Sequence, residues 1–427
     1  MTDGGHVPPS CFLFSEKRNQ MRVLFIHEGL GQFHMLHEYL NAQGLAHSWF
    51  LCSNSVYQAN KDKVPNLVPF QVPSENANTY FYTKNLEARI QRSFLIKKAI
   101  SELLERQGLD LIVAHGSGGF PLQLFGEFDV PIITYIEFPS FTHHGCDPKY
   151  PQPDYATYRD KVFEMTSYHQ ALKSDLVMTP SEYAKKMFPT CLHDKIVAQM
   201  EGFEIARKPS TFVKRDDCFH IGFSARDLSS AKGFEQFILI AKEILKVRRN
   251  VRFVFCGAPK VLYSYEEAFL QTHFEKEKRP ESFMKYVLDR EGITLDDESA
   301  FQHVSFASYD EFASYVEAMD LFLYPLQYGS ANWGLFELLF RGKVIVASDR
   351  CFVPEVIRHR DNGLLCKYED IADWVRYATD IIDAPEAFRH LGTRALQDAH
   401  ERFHISNVAH RYLSAFEMAI RRHKLGA

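Results

Sequence analysis

Short runs of β-branched and aromatic residues alternate with longer stretches of helical period along almost the whole chain. In the first half the apolar runs are Arg22–Ile26, His47–Cys52, Asp110–Ala114, Pro131–Ile136 and Asp175–Met178. In the second they are His220–Ser224, Arg252–Phe255, His303–Phe306, Asp320–Tyr324, Lys343–Ala347 and Gly363–Cys366. Each is nearly continuous in apolar residues, the pattern of a strand covered on both faces. Between them, Lys84–Arg106 keeps Leu86, Ile90, Phe94 and Ile100 in a helical rhythm. Strand and helix in alternation predict an α/β protein built of doubly wound parallel sheets.

The pattern repeats, so it predicts two Rossmann-like domains. The polar, proline-bearing stretch Ala206–Cys218 has no apolar period and marks the seam. The expected layout is a tail over residues 1–20, a first domain over 21–205, a second over 206–402 and a C-terminal helix over 403–427. Leu262–Ser299 reads as a charged, helix-rich insertion, and Ile405–Leu425 as a long helix beyond the last strand.

Composition narrows the class. A chain of 427 residues can bury two cores, and 46% apolar with 24% charged residues is ordinary globular usage. A formal charge of −5 argues against a nucleic-acid partner. Eight cysteines without a C-x-x-C pair point to a reduced, cytoplasmic setting. No apolar run reaches the roughly 20 residues that span a bilayer. The helix Lys84–Arg106 sets Arg89, Arg92, Lys97 and Lys98 beside an apolar face. A solvated face over a core stripe is the expectation there, and peripheral contact with an anionic membrane the alternative.

Open parallel sheets take ligands at the carboxyl ends of their strands, so the loops there carry the candidate chemistry. After the first strand comes "HEGLGQFHMLHEYL" (His27–Leu40), where Gly29 and Gly31 allow a tight turn before a helix beginning near Gln32. It is not a dinucleotide fingerprint. His34 stands at the third glycine, and the next strand ends in Ser53-Asn54 without an acid for a ribose. A plain βα turn is the alternative. The strand Asp110–Ala114 ends in "HGSGG", which places His115 either as a group facing a reacting centre or as a cap. In the second half Arg226 and Lys232 flank the start of a helix, a competent diphosphate site or a solvated pair.

Glu337 is the anomaly. It is the only ionisable residue between Ala331 and Phe340, in a helix apolar on nearly every face. Its bland partner is Arg341 at i+4, an ordinary surface pair. Its functional partner is a vicinal diol, which offers two donors to one carboxylate.

Arg226 and Lys232, the Glu337 helix followed by Gly342 and "KVIVAS", then Pro354-Glu355-Val356 and Asn362-Gly363-Leu364 together resemble the donor domain of retaining glycosyltransferases of family 4, which have the GT-B fold. The N-terminal glycine loop, "DLIVAH", "TPSEYAKK" (Thr179–Lys186) and "ERFHISNVAHRYLSAFE" (Glu401–Glu417) are similar to the same family. The match runs from Met21 over nearly all of the chain. It implies two domains facing across a cleft, with the C-terminal helix crossing back to the first. It implies a nucleotide-diphosphate sugar as donor substrate, with no cofactor and no metal, and a glycan, lipid-linked or small hydroxyl-bearing acceptor. Arg226 and Lys232 would then neutralise the diphosphate, Glu337 hold the ribose, and amides near Asn332 and Trp333 meet the sugar and distal phosphate. His115 matches the family's histidine at the transferred sugar, and Gly31 its diphosphate-facing glycine loop. In one respect the chain departs: the family has two glutamates separated by seven residues, and Gly329 stands where the first would fall.

The loop "FTHHGCD" (Phe141–Asp147) tempts a metal assignment, but adjacent histidines rarely share one ion. It is read instead as acceptor side, through His143 and together with Glu137. Two alternatives stay open: a nucleotide-sugar epimerase or hydrolase on the same frame, and a non-catalytic nucleotide-sugar-binding protein.

Overall fold

The protein is described as a computed structural model over residues 20–72, 79–80, 82–141, 145–214, 217–262, 264–296 and 298–426. Among the described residues, thirteen strands fall into two sheets. The first holds β1 (Met21–Ile26), β2 (Ala46–Ser53), β3 (Leu67–Phe70), β4 (Leu111–His115), β5 (Ile132–Tyr135), β6 (Leu176–Thr179) and β7 (Ile196–Ala198), in the order β3-β2-β1-β4-β5-β6-β7. The second holds β8 (Phe219–Asp227), β9 (Val251–Ala258), β10 (Phe301–Val304), β11 (Leu321–Tyr324), β12 (Ile345–Ser348) and β13 (Leu364–Cys366), in the order β10-β9-β8-β11-β12-β13. All pairings are parallel. These are two Rossmann-like domains.

The twofold period of a strand decides which core each residue joins. Val23 and Phe25 of β1 pack with Leu36, Leu40 and the C-terminal helix, while Leu24 and Ile26 pack on the other side with Ile96 and Ile100. A strand buried on both sides has no polar positions to spare, which is why the runs read as continuous. Two strands escaped the pattern. β3 and β7 lie at the edges of the first sheet; β3 contains Pro69, and β7 has three residues. β10 begins earlier than its apolar run suggests, with Phe301 opposite Phe253.

Helix boundaries differ at one functional point. The helix after β1 starts at His34, where the His34 amide closes a turn onto the Gly31 carbonyl (3.1 Å), so its start lies beyond Gln32. The helix Lys84–Gln107 buries Ser93, Ile96 and Ile100, whereas Ile90 and Phe94 are 39% and 65% exposed. Its apolar arc is wider than the sheet can cover, so the expected core stripe is only partly core.

The chain crosses between domains twice, and the crossings are tied together. Phe203 donates its amide to the Phe403 carbonyl (2.8 Å) and accepts from the Ile405 amide (3.0 Å). At His404 the chain turns from the helix Pro385–Phe403, packed on the second domain, into Ile405–Leu425, packed on the first. The C-terminal helix does cross back. Among the described residues no helix is long and apolar enough to span a membrane, and no cysteine is in a disulfide.

Candidate functional site

Strand order reverses beside β1 and β4 in the first sheet and beside β8 and β11 in the second. The loops following these four strands meet in the cleft. At the end of β1, the His27 ring nitrogen Nδ1 lies 3.0 Å from the Gly29 amide. A Cβ on Gly31 would come within 2.8 Å of His27 Cε1, so a larger residue would push the ring aside. His115 closes β4. Its Nδ1 accepts from the Ser117 amide (3.3 Å) and lies 2.6 Å from the Ser117 hydroxyl. A backbone amide can only donate, so the ring proton resides on Nε2. That Nε2 is buried and has no hydrogen-bond partner among the described residues. Burial, and secondarily His27, hold the His115 pKa well below the usual imidazole range. The group is a neutral imidazole with a buried N–H donor.

The second sheet supplies the cations. Arg226 lies near the end of β8, exposed, and Lys232 in the turn before the helix Phe234–Val247. Gly233 caps that helix at φ +87, and a Cβ there would sit 1.7 Å from the Pro325 carbonyl oxygen. The loop after β11 is thus pressed onto the loop after β8, and the Gln327 and Tyr328 amides both donate to the Ala231 carbonyl (3.1 and 3.0 Å). Burial lowers the Lys232 pKa, opposed by the charges of Asp227 and Glu137. Glu137, just past β5 in the first domain, accepts from Gln32 Nε2 (2.6 Å). Its pKa is raised by burial and pulled back by Lys232, Gln32 and Arg226. An acid of one domain and two cations of the other therefore share one field across the cleft.

Asn332 caps the helix Trp333–Phe340 and accepts the Gly334 amide (3.0 Å), so one amide of the first turn is already satisfied. Glu337 receives the Tyr309 hydroxyl (2.8 Å) and Arg341 Nη2 (3.2 Å). Burial raises its pKa against the pull of both. The expectation of a surface pair is corrected here: Arg341 is 1% exposed and also donates to Glu317 (3.3 Å). A buried guanidinium between two acids holds Glu337 in place. The helix is not buried on every side either, since Trp333 is 42% exposed. A Cβ on Gly329, at the position of the family's first glutamate, would meet nothing closer than Leu326 at 3.4 Å.

Sequence reasoning missed Glu201. One of its oxygens accepts the Trp333 indole N–H of the second domain, the other the Tyr135 hydroxyl of β5 at 2.7 Å. Burial pushes this carboxyl up to about 7. Its signal, an acid placed after a strand, was hidden because that strand is the short β7. Glu355 was read only as part of a motif. It binds the Glu182 and Tyr183 amides (2.9 and 2.7 Å) and, with the Ser181 hydroxyl donating to the Ser330 carbonyl (2.6 Å), joins the domains below the cleft. Gly31 and His115 both lie against the His27 ring, Glu137 shares a field with Lys232 and Arg226, and Asn332, Trp333 and Glu337 belong to one further helix and its cap. His143 lies outside the described residues.

Residues 45–207 match the family described as "Glycosyl transferase family 4 group". Residues 212–398 match the family described as "Glycosyl transferases group 1". N-acetyl-alpha-D-glucosaminyl L-malate synthase of Bacillus anthracis is 26% identical over 117 residues, 27% of this chain and 31% of that protein, so the chain matches under a third of that relative's length. Among solved structures, a sucrose-phosphate synthase from Thermosynechococcus elongatus superposes with TM-score 0.68 at 14% identity, over 93% of this chain and 98% of that one. Anabaena HepE in complex with UDP and glucose gives 0.64 at 14% identity, over 93% and 99%. The shared architecture is GT-B.

Proposed function

The chain belongs to the group 1 glycosyltransferases, with an N-terminal domain of the family 4 group, and from that premise we propose that it transfers a sugar from a nucleotide-diphosphate sugar to a hydroxyl-bearing acceptor with retention of configuration. The observation that carries this is the field shared by Lys232, Arg226 and Glu137 between the two switch points. Cations at the start of a helix suit a departing diphosphate, and in a partly buried cleft they act without a metal. Glu337 Oε2 is taken by Tyr309 and two Arg341 nitrogens, whereas Oε1 accepts from the Tyr309 hydroxyl alone among the described residues and keeps a lone pair for a ribose hydroxyl. The His115 Nε2–H supplies a fixed donor for a hydroxyl of the sugar being transferred. With the diphosphate neutralised, its oxygen takes the acceptor's proton on the face from which it leaves, which preserves the anomeric configuration. The acceptor, a glycan, a lipid-linked saccharide or a small hydroxyl compound, enters from the side of Glu137 and His115.

Similar structures in complex with UDP and with UDP-glucose make uridine diphosphate sugars the first donors to try. The test is a thermal-shift screen of nucleoside diphosphates and their sugars in chelator, followed by the anomeric configuration of the product. One diphosphate should raise the melting temperature, since a ligand of the folded state stabilises it. No shift with any of them would overturn the reading.

A further inference from the structure

Beside the His115 turn a cavity of about 270 Å³ opens between the helices Lys84–Gln107 and Asp154–Lys173, at the small end of ligand sites of roughly 300–1,000 Å³. Phe141 and Phe163 form apolar walls, Arg89 and Arg159 supply two positive charges, and Asp160 one negative. Ser117, whose hydroxyl is 2.6 Å from His115 Nδ1, stands at its edge and connects it to the candidate catalytic group.

Arg89 is unlike its neighbours. One turn on, Arg92 is answered by Glu28 at 3.3 Å and donates to the Gly118 carbonyl (3.0 Å). Arg89 lies over the Phe163 ring at 4.5 Å and donates to one neutral hydroxyl, that of Thr166 (2.7 Å). Burial, followed by the Arg92 charge, pushes it down to about 10, with no acid pulling it back. Arg159 is engaged by the Tyr265 hydroxyl of the second domain. Asp160 is not among the charges that shift Arg89, and two of its contacts are the Ser140 hydroxyl and the Phe141 amide, both at 2.9 Å. The Arg89 stem is fixed as well: a Cβ on Gly119 would come within 2.6 Å of Arg89 Cβ, so the glycine turn lies directly on it. A guanidinium brought into a cavity at the cost of its hydration, with one hydrogen bond among the described residues, is matched by an oxyanion that accepts two of its N–H groups.

We propose that this cavity receives the anionic part of the acceptor, a phosphate or carboxylate gripped by Arg89 and Arg159, and that the protein glycosylates negatively charged hydroxyl compounds. The inference rests on the glycosyltransferase reading for its second half; the anion site itself does not. Inorganic phosphate is therefore titrated calorimetrically into full-length protein carrying Arg226→Ala and Lys232→Ala, which removes the diphosphate cations. Binding is expected there, and should weaken at least tenfold when Arg89→Gln is added. A purely structural Arg89 would lower the melting temperature and leave phosphate affinity untouched, which overturns the proposal, as does absence of binding in the double variant. Displacement of phosphate by glycerol 3-phosphate assigns the site to soluble acceptors, and displacement by phosphatidylglycerol vesicles alone assigns it to lipid-borne ones. Should phosphate bind as described while no nucleoside diphosphate binds the unmodified protein, the anion site stands and the transferase reading falls.

Discussion

The rings of His27 and His115 stand at right angles with centroids 4.8 Å apart, each at the end of a central strand of the first sheet. Two imidazoles this close cannot both be charged, and burial already depresses both pKa values. His115 is therefore neutral near pH 7, and its Nε2–H acts as a fixed hydrogen-bond donor. His115→Ala should leave nucleotide affinity within about threefold and lower kcat by roughly 10²–10³-fold, the usual loss for one aimed donor. The kcat profile should show no imidazole inflection between about pH 6 and 8. Full activity in the variant would reassign the residue.

Depressed histidines also make a stability statement. Below the ordinary imidazole pKa of 6.5 the unfolded chain takes up protons that folded His27 and His115 refuse. Their contribution is present at neutral pH and is lost on acidification. In thermal melts from pH 7 to 5, His115→Ala should lose less stability than the unmodified protein, and an equal loss would contradict the assignment.

Glu201 titrates in the opposite sense. Its folded pKa of about 7 lies above the ordinary 4.5, so between these values the folded state holds the extra proton. Stability from this group falls as pH rises from about 4.5 to 7. At ~1.4 kcal/mol per unit, the effect is on the order of 3–4 kcal/mol at most. Glu201→Gln should flatten that slope in melts across pH 5–8. Since the carboxyl joins Tyr135 to Trp333, the loss of one acceptor should also loosen the domains, visible as faster proteolysis between residues 199 and 218.

How much of this was legible in advance follows from what each residue depends on. β1 and β4 announced themselves because both faces are buried, so every position but Arg22 and His115 is apolar. β3 and β7 did not, because an edge strand needs neither length nor two apolar faces. Lys232, Arg226 and His115 could be placed from their positions at or just past the carboxyl ends of strands, a local property. Glu201 could not, since its meaning comes from Tyr135 and Trp333, residues 66 and 132 positions away. The Arg341 environment was misjudged for the same reason: i+4 spacing identifies Glu337 as a partner but is silent about Glu317 and burial.

For Glu337 the buried Arg341 separates folding from binding. Glu337→Gln leaves Arg341 its ion pair with Glu317, so the fold should persist. Charged hydrogen bonds to a ribose are worth about 1.5–3 kcal/mol, so nucleoside diphosphate affinity should drop roughly 10–100-fold. Arg341→Met, by contrast, leaves Glu317 and Glu337 without their shared cation and should destabilise the protein by about 3 kcal/mol or more in urea melts. Unchanged nucleotide affinity in Glu337→Gln would remove the ribose role and leave the residue as a partner of Arg341.

Two glycines of the second domain's cleft loops provide the sharpest contrast. At Gly233 a methyl group would meet the backbone oxygen of Pro325 at 1.7 Å, and φ is +87. Neither the carbonyl nor the backbone angle can yield cheaply, so the turn carrying Lys232 must lift off the loop after β11. Gly233→Ala should therefore cost more than about 2 kcal/mol in urea melts and weaken diphosphate binding through displaced Lys232. At Gly329 the same methyl meets Leu326 at 3.4 Å, ordinary contact, with no positive φ to strain. Gly329→Ala should lie within about 0.5 kcal/mol of the unmodified protein. If Gly233→Ala melted like Gly329→Ala, the apposition of the two cleft loops, and with it the placing of Lys232 against Glu137, would be wrong.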